Sequence, residues 1–494
     1  MKHNFFRQLL VTAAALSVTI NAIPASAQEP EVLDKKAVTT KYMRNSVCLI
    51  MMEDASVPQK DILRDAFINN KWNNKYNNHN VTLDKRIINP DKLTLTDSDA
   101  GAFNLACTPN TNFLELIKSG GTAPKQTFFK EGAFGAIMRE LMSKATTTID
   151  TVLKINAARM ANKFIVEQDI ARDCYNQWML DAEGNYTDSV ILERGLLNAT
   201  AKAQEIAEAS FDARKKLLSE NCDMAELFGN TFVVVTRFSY KDKDALVNDR
   251  MMPLYAAASL DDSGYGGMAL KIAEMGIKAS IGKGYYVVVD SYMFRLRWDD
   301  AIENEFYGLW NNGEFNKEAY ANAKFPALQF IGNERAWAKT RAGVFTNKSE
   351  EELIRLAAVD AVDAVLAKFE RKDDQFKTKS PLHVIETTDK KGRTKQAYAV
   401  QLGSRDGLSG GEVFEVLEVQ KKKKDDGSIK VNYIKKGELT VDKKNVWDNS
   451  YSTTEGSELS EEEKSKILPY TLLSGKGKQT YYEGMLLRQK TTKK

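Results

Sequence analysis

At Thr231 the spacing of apolar residues changes, and that change constrains what each half of the chain folds into. Over residues 128–225 apolar side chains recur every three or four positions, at Ile137, Leu141, Ile149, Leu153, Ala157, Met160, Phe164 and Ile170. This is the period of a helix with one buried face. A break at "DAEGNYTD" separates the run from a second one, "LLNATAKAQEIAEASFDARKKLLSE", so packed helices, an antiparallel pair or a small bundle, are expected. From Thr231 onward the chain offers "TFVVVTRFSY", a β-branched and aromatic run of strand length.

The strand signals continue. In "YYVVVDSYMFRLRW" Tyr292, Phe294, Leu296 and Trp298 alternate with Met293, Arg295 and Arg297, which predicts a long strand with one buried and one wet face. "GGMALKIAEMGIKASIG" has helical spacing, as does "DDAIENEFYGLW", for which Asp299 or Asp300 is the expected cap. "FPALQFIGNERAWAKTRAG" predicts a strand with a turn or bulge at Gly332-Asn333. Ser349 lies three residues before Glu352, the capping-box spacing, and opens a helix whose stripe includes Leu353, Leu356, Ala357, Ala361, Ala364 and Val365. Strands and helices alternate between 231 and 370, the order of an α/β domain. The charged "RKDDQFKTKSP" after it is the expected linker.

Upstream, "SVCLIMM" has the length of a buried strand, and Ile62, Leu63, Ala66 and Phe67 follow at helical spacing. Next comes "NNKWNNKYNNHNV", where so many Asn residues favour turns. Trp72, Tyr76 and His79 make this the candidate ligand loop, for a glycan or small molecule; the competing reading is a turn-rich loop plugged by its aromatics.

Beyond residue 382 the sequence is strand and turn throughout. A hairpin is expected around Gly392, another at Asp426-Gly427, and further strands in "EVFEVLEV", "VNYIKKGELTV" and "QTYYEGMLLRQ". About five short strands in this length suggest a small barrel or sandwich. Gly403, Gly407, Gly410 and Gly411 crowd into nine residues between two of them. A phosphate-cradling loop leaves a strand and enters a helix, whose N-terminal amides hold the anion. These glycines enter a strand, at a spacing that is neither GxGxxG nor GxxxxGK[ST], so they are assigned to tight turns. "SGYGGM" at 263–268 precedes a helical run but also lacks the fingerprint.

Little else points to chemistry. His79 and His383 lie far apart, with no HExxH and no Cys/His cluster, so neither a metal centre nor a histidine-based triad is expected. Carboxylates are abundant, and Asp299 with Asp300, or Glu303 with Glu305, could be nominated as a hydrolytic pair. Helix capping accounts for the first two more simply. No catalytic residue, metal or cofactor is therefore assigned. The run Lys421–Lys424 is followed at once by Asp425 and Asp426, as at a solvated hairpin tip.

The N-terminus indicates a compartment. Lys2 and Arg7 precede an apolar stretch from Leu9 to Ile23, and Ala25-Ser26-Ala27 forms a small-residue cleavage site. Residues 1–27 read as a secretory signal peptide rather than an anchor, because the apolar stretch is too short to span a bilayer. Cleavage would remove two basic residues and no acidic one, leaving 68 basic against 67 acidic. A chain so balanced has no global field to attract nucleic acid. No later stretch reaches spanning length, so no transmembrane segment is expected after cleavage. The expected location is the periplasm, with secretion or peripheral attachment to the outer membrane as alternatives. Of Cys48, Cys107, Cys174 and Cys222, Cys48 sits in an apolar run, and Cys174 and Cys222 flank a helical region at a spacing that allows a disulfide.

"YAVQLGSRDGLSGGEVFEVLEV", continued by "GSIKVNYIKKGELTV", resembles a pattern in bacterial envelope proteins: strand, Gly-Ser/Thr-x-x-Gly-Leu, small-Gly-Asp/Glu, strand, charged hairpin, then G-x-L-x-V. It is similar to the SH3-like barrel that closes accessory proteins of the flagellar T-ring type. The preceding α/β region is similar in element order to the domain shared by that family and curli secretion proteins. The chain lacks the lipid-attachment Cys of the curli proteins, and residues 40–230 match neither. As a whole it resembles uncharacterised secreted proteins of Bacteroides-type bacteria.

The expectation is thus an α+β, multidomain protein: a signal peptide at 1–27, a mixed α/β region at 28–127, a helical region at 128–230, an α/β domain at 231–375 and a small SH3-like β-barrel at 382–494. The helices of residues 128–230 make its N-terminal half predominantly helical. The functional expectation is a non-enzymatic exported protein that binds or helps assemble other envelope proteins. The alternatives are a secreted hydrolase using carboxylates on glycans or peptides, and a glycan or small-molecule binding module.

Overall fold

The computed structural model describes residues 45–70, 83–106, 154–187, 224–241, 285–311, 314–323, 328–340, 349–388, 394–423, 429–449, 469–475 and 480–491, with isolated positions between them, among them Tyr76 and Val81. Residues 1–27, expected to be a signal peptide, and Cys107, Cys222, "SGYGGM", Trp72 and His79 lie outside the described residues.

The first sheet has five strands in the order β2-β1-β3-β4-β7. β1 (Ser46–Met52) runs parallel to both β2 (Arg86–Ile88) and β3 (Thr231–Lys241). β4 (Tyr285–Leu296) is antiparallel to β3 and to β7 (Leu328–Thr340). A small separate hairpin joins β5 (Trp310–Asn311) to β6 (Glu314–Phe315). Strands from the expected N-terminal mixed region and the expected α/β domain therefore share one sheet. β1 is buried along its whole length, as the uninterrupted apolar run requires of a strand covered on both faces. Cys48, Ile50 and Met52 enter one core, whereas Val47, Leu49 and Met51 enter the other.

Helices supply the two outer layers. The first core gathers residues from α2 (Asp97–Ala106), α3 (154–167), α4 (Ile170–Met179), α5 (Met224–Gly229), α6 (Asp300–Tyr307) and α7 (Lys317–Asn322). On the opposite face lie α1 (Lys60–Asn69) and the long α8 (Glu350–Lys372). α1 buries Leu63, Ala66 and Phe67, three of the four residues its spacing nominated. The expected helical N-terminal half is described only in part, through α3, α4 and α5; most of 107–223 lies outside the described residues.

Two expectations need correction. β4 has no wet face: Tyr292, Phe294 and Leu296 enter the first core, while Val287, Val289 and Met293 enter the second beneath α8. Alternation identified the strand, but the second helical layer covers the face that the arginines had marked as polar. Arg295 stays in place by donating its Nε–H to the Gly229 carbonyl at 2.6 Å. Nor is "RKDDQFKTKSP" a free linker. α8 extends into it, Phe376 is fully buried in the second core, and Asn45 donates to the Phe376 carbonyl. The bulge at Gly332 is present, as a register shift opposite Met293 and Phe294.

The second sheet has seven strands, more than the five or so expected. They are β8 (Lys379–Pro381), β9 (His383–Thr388), β10 (Thr394–Val400), β11 (Val413–Lys423), β12 (Ile429–Val441), β13 (Thr471–Gly475) and β14 (Leu486–Gln489). Their order is β8-β14-β11-β12-β13-β10-β9, antiparallel throughout. The edge strands β8 and β9 are consecutive and joined by Leu382, which donates its amide to Met485 and accepts from Gly484. The sheet is therefore a nearly closed barrel, filled by Leu382, Val400, Phe414, Val416, Leu439 and Leu487 among others. Among the described residues no helix is long and apolar enough to cross a membrane.

Candidate functional site

The two stretches singled out in the sequence for different reasons, the Asn/aromatic loop and the glycine-rich loop, meet on one helix. α8 opens with the capping box: Ser349 Oγ accepts from the Glu352 amide at 3.2 Å, and the Glu352 carboxylate accepts from the Ser349 amide at 2.7 Å. The helix then carries Asp360, Asp363, Ala367 and Glu370, spaced three or four apart along one side, with Arg371 four residues beyond Ala367. That polar stripe within "VDAVDAVLAKFERK" was the legible signal of the site, and the apolar stripe of the same helix overshadowed it.

The glycine loop lands on this stripe. Arg405 donates its Nε–H to Asp363 Oδ2 at 2.8 Å, and both side chains are almost fully buried. Gly407 takes φ of 82°, and a Cβ there would stand 2.6 Å from the Ala367 Cβ. A side chain would thus strain the backbone and push the barrel off the helix. Arg371 of α8 reaches the Gly407 carbonyl at 3.4 Å. Gly410 and Gly411 also have positive φ. Gly403 does not; its need is space, because a Cβ would come within 2.4 Å of the Trp447 carbonyl. The loop is held internally by Asp406, which accepts from the Gly403 amide at 2.6 Å and from Asn449 Nδ2 at 3.0 Å.

Tyr76 arrives at the same helix from the other loop. It is buried, stacks on Phe376 at 5.3 Å, and donates its hydroxyl to Glu370 at 2.9 Å. Thr378 completes the coordination of Glu370 through its amide, at 3.3 Å, and its hydroxyl. Tyr76 is thus a core residue whose polar end is satisfied internally.

Burial dominates the electrostatics of the junction. It pushes the Asp363 carboxyl up to about 7, against the pull of Arg405. One oxygen of Asp363 has no hydrogen-bond partner among the described residues. Asp360, at the exposed edge of the stripe, is also raised by desolvation, opposed by Arg405. The Tyr76 phenol is raised well above its ordinary value by burial first, and then by the charges of Glu370, Asp406 and Asp363. Such a dry cluster can hold two structural layers together and can respond to protons. Among the described residues no three His, Cys, Asp or Glu side chains are arranged to hold a metal ion.

The other nominated groups are dispersed. Asp299 is the N-cap of α6: it accepts from the Ala301 and Ile302 amides at 3.2 Å and pairs with Arg297. Glu305 is exposed on the same helix. His383 lies on the barrel, 2.9 Å from Glu483 and edge-on to Tyr470.

A second feature lies at the far end of the barrel. β11 pairs with β14 only from Phe414 to Leu417, and β12 pairs with β13 only from Leu439 to Val441. The two strands nevertheless continue to pair with each other as far as Lys423 and Ile429. Beyond the barrel wall they form a two-stranded ribbon, braced at its base by Tyr482, which donates to Glu418, and by Lys379 over the Tyr433 ring. Both outer edges of the ribbon lack strand neighbours among the described residues.

No family model matches the chain, and no curated protein matches it.

Proposed function

We propose that the chain is a non-enzymatic, exported envelope protein that serves as a binding or assembly accessory, and that its barrel is of the SH3-like type. The observation that carries the reading is the β11–β12 ribbon, which leaves the barrel as a pair of strands with no strand neighbour on either outer edge among the described residues. Two strands alone are marginally stable in water, so a ribbon of this length gains from a neighbour. Open edges present amide and carbonyl groups to which a partner strand can add. The glycine loop contributes differently: it locks the barrel to α8, so the ribbon projects from a rigid base.

The test replaces residues 421–431 by a two-residue Asn-Gly turn and uses both proteins as bait in envelope extract. The expected result is stoichiometric capture of an envelope protein by the intact chain, loss of capture by the shortened one, and the same thermal unfolding for both. Capture that survives shortening refutes the ribbon as the contact. Absence of capture with either bait, together with turnover on a panel of glycans, refutes the accessory reading.

A further inference from the structure

The first core contains two thiols that neither the junction nor the ribbon uses. Cys48 projects from β1 and Cys174 from α4, and both are completely enclosed. They are unlinked, with the Cys174 thiol donating to Cys48 Sγ. The Leu83 amide donates to the same sulfur at 3.3 Å. Arg86 stands beside both and is held there by Asp173 at 2.6 Å.

We propose that Cys48 and Cys174 are joined by a disulfide when the chain folds in oxidising surroundings, fastening the buried strand β1 to the helical layer. A strand and a helix more than a hundred residues apart have placed these sulfurs in direct contact inside the first core. The pair is also asymmetric. The hydrogen bond from Cys174, the Leu83 amide and the Arg86 charge hold Cys48 below the ordinary thiol range despite its burial. The same hydrogen bond, with burial, holds Cys174 well above it. Within the closed core Cys48 is therefore the more readily ionised of the two.

The chemistry needs a disulfide oxidant, either a small-molecule disulfide or a thiol oxidoreductase. The thiolate of one of the two cysteines attacks one sulfur of the oxidant and releases a thiolate, leaving a mixed disulfide. The other cysteine then loses its proton, attacks the protein sulfur of that mixed disulfide and expels the second thiolate. The pair gives up two protons and two electrons, and the oxidant's disulfide becomes two thiols. Because both sulfurs are enclosed, exchange takes place before α4 closes on β1, and the folded core afterwards shields the bond from reductants. The bond closes a long loop, the case in which restricting the unfolded chain stabilises most. The spacing of Cys174 and Cys222 also allows a pairing; Cys222 lies outside the described residues, whereas Cys174 lies against Cys48.

The geometry does not depend on the proposed function, and the test supplies its own oxidant. The full chain is reduced, unfolded and refolded in a mixture of oxidised and reduced glutathione. Free thiols are blocked with N-ethylmaleimide, and proteolytic peptides are weighed with and without reductant. The expected product is a peptide pair containing Cys48 and Cys174 that separates on reduction, and a thermal midpoint several degrees above that of the Cys48→Ala variant. The Cys107→Ala, Cys222→Ala double variant should form the same link. The same map is expected for the chain expressed into an oxidising compartment, a route that does not require refolding. Blocked thiols at both Cys48 and Cys174 by either route, or a bond from either to Cys107 or Cys222, overturns the proposal.

Discussion

Arg405 and Asp363 show how much one pair of side chains decides in this protein. An arginine in a barrel loop and an aspartate in a distant helix meet where almost no water reaches them. Removing one partner of a buried pair leaves the other charged and uncompensated, which costs about 3–5 kcal/mol. The cost depends on pH in a definite direction. Asp363 has its folded-state value raised to about 7 by burial, above that of an unfolded carboxyl. Its contribution is therefore fully present in acid and is lost as pH rises through about 7. Arg405→Ala is expected to cost little at pH 5, where Asp363 holds a proton, and to approach the full penalty at pH 8. Urea denaturation at the two pH values measures the difference; equal losses would show that the pair is not what joins barrel to helix. Arg405 itself was not legible as a partner of Asp363, because sequence proximity says nothing about which loop lands on which helix.

α8 is the element through which the whole arrangement is organised. One side of it, rich in alanine and valine, lies on the sheet, and its acidic stripe receives the barrel loop and Tyr76. Ala357, Ala358 and Ala361 are small enough to let a long helix approach the strands closely. Its start was legible in full, since a capping box is a local device that needs only Ser349, Glu352 and the intervening backbone. Ser349→Ala is expected to lower stability by about 1 kcal/mol, and Glu352→Gln by less, because glutamine keeps the return hydrogen bond. Thermal melts of the two variants check the order. The β11–β12 ribbon was legible to the same degree: Asp426-Gly427 announced a hairpin, and the strands do pair. That both strands outrun their barrel neighbours was not, because strand length is local while the barrel's height is set by five other strands.

At the scale of the molecule, closure comes from segments far apart in the chain. β1 sits beside β3, some 180 positions later, and β14 at the C-terminal end inserts between β8 and β11. Deleting the short β14 should therefore do more than remove four residues. β8 and β11 each lose a neighbour, and Leu486 and Leu487 leave buried positions. A chain lacking only Leu486–Gln489 is expected to lose slow hydrogen exchange across β8–β13 while β1, β3 and β4 keep theirs. Uniform protection in both sheets would mean that the barrel does not depend on its last strand. The two sheets are separate hydrogen-bonding units, each with its own core, which is why loss is expected in one alone.

What the sequence determined alone was local: the period that makes a strand or a helix, the caps, and the turns where Gly407, Gly410 and Gly411 need positive φ. These follow from sterics and hydrogen bonds within a few residues. The opposite face of β4, the burial of Phe376 and Tyr76, the contact of Cys48 with Cys174, and the landing of the glycine loop on α8 were decided only by the tertiary structure. Each depends on which surface covers another. Apolar burial is non-directional, so many partners satisfy a given stripe until packing, space and the pairing of buried charges select one.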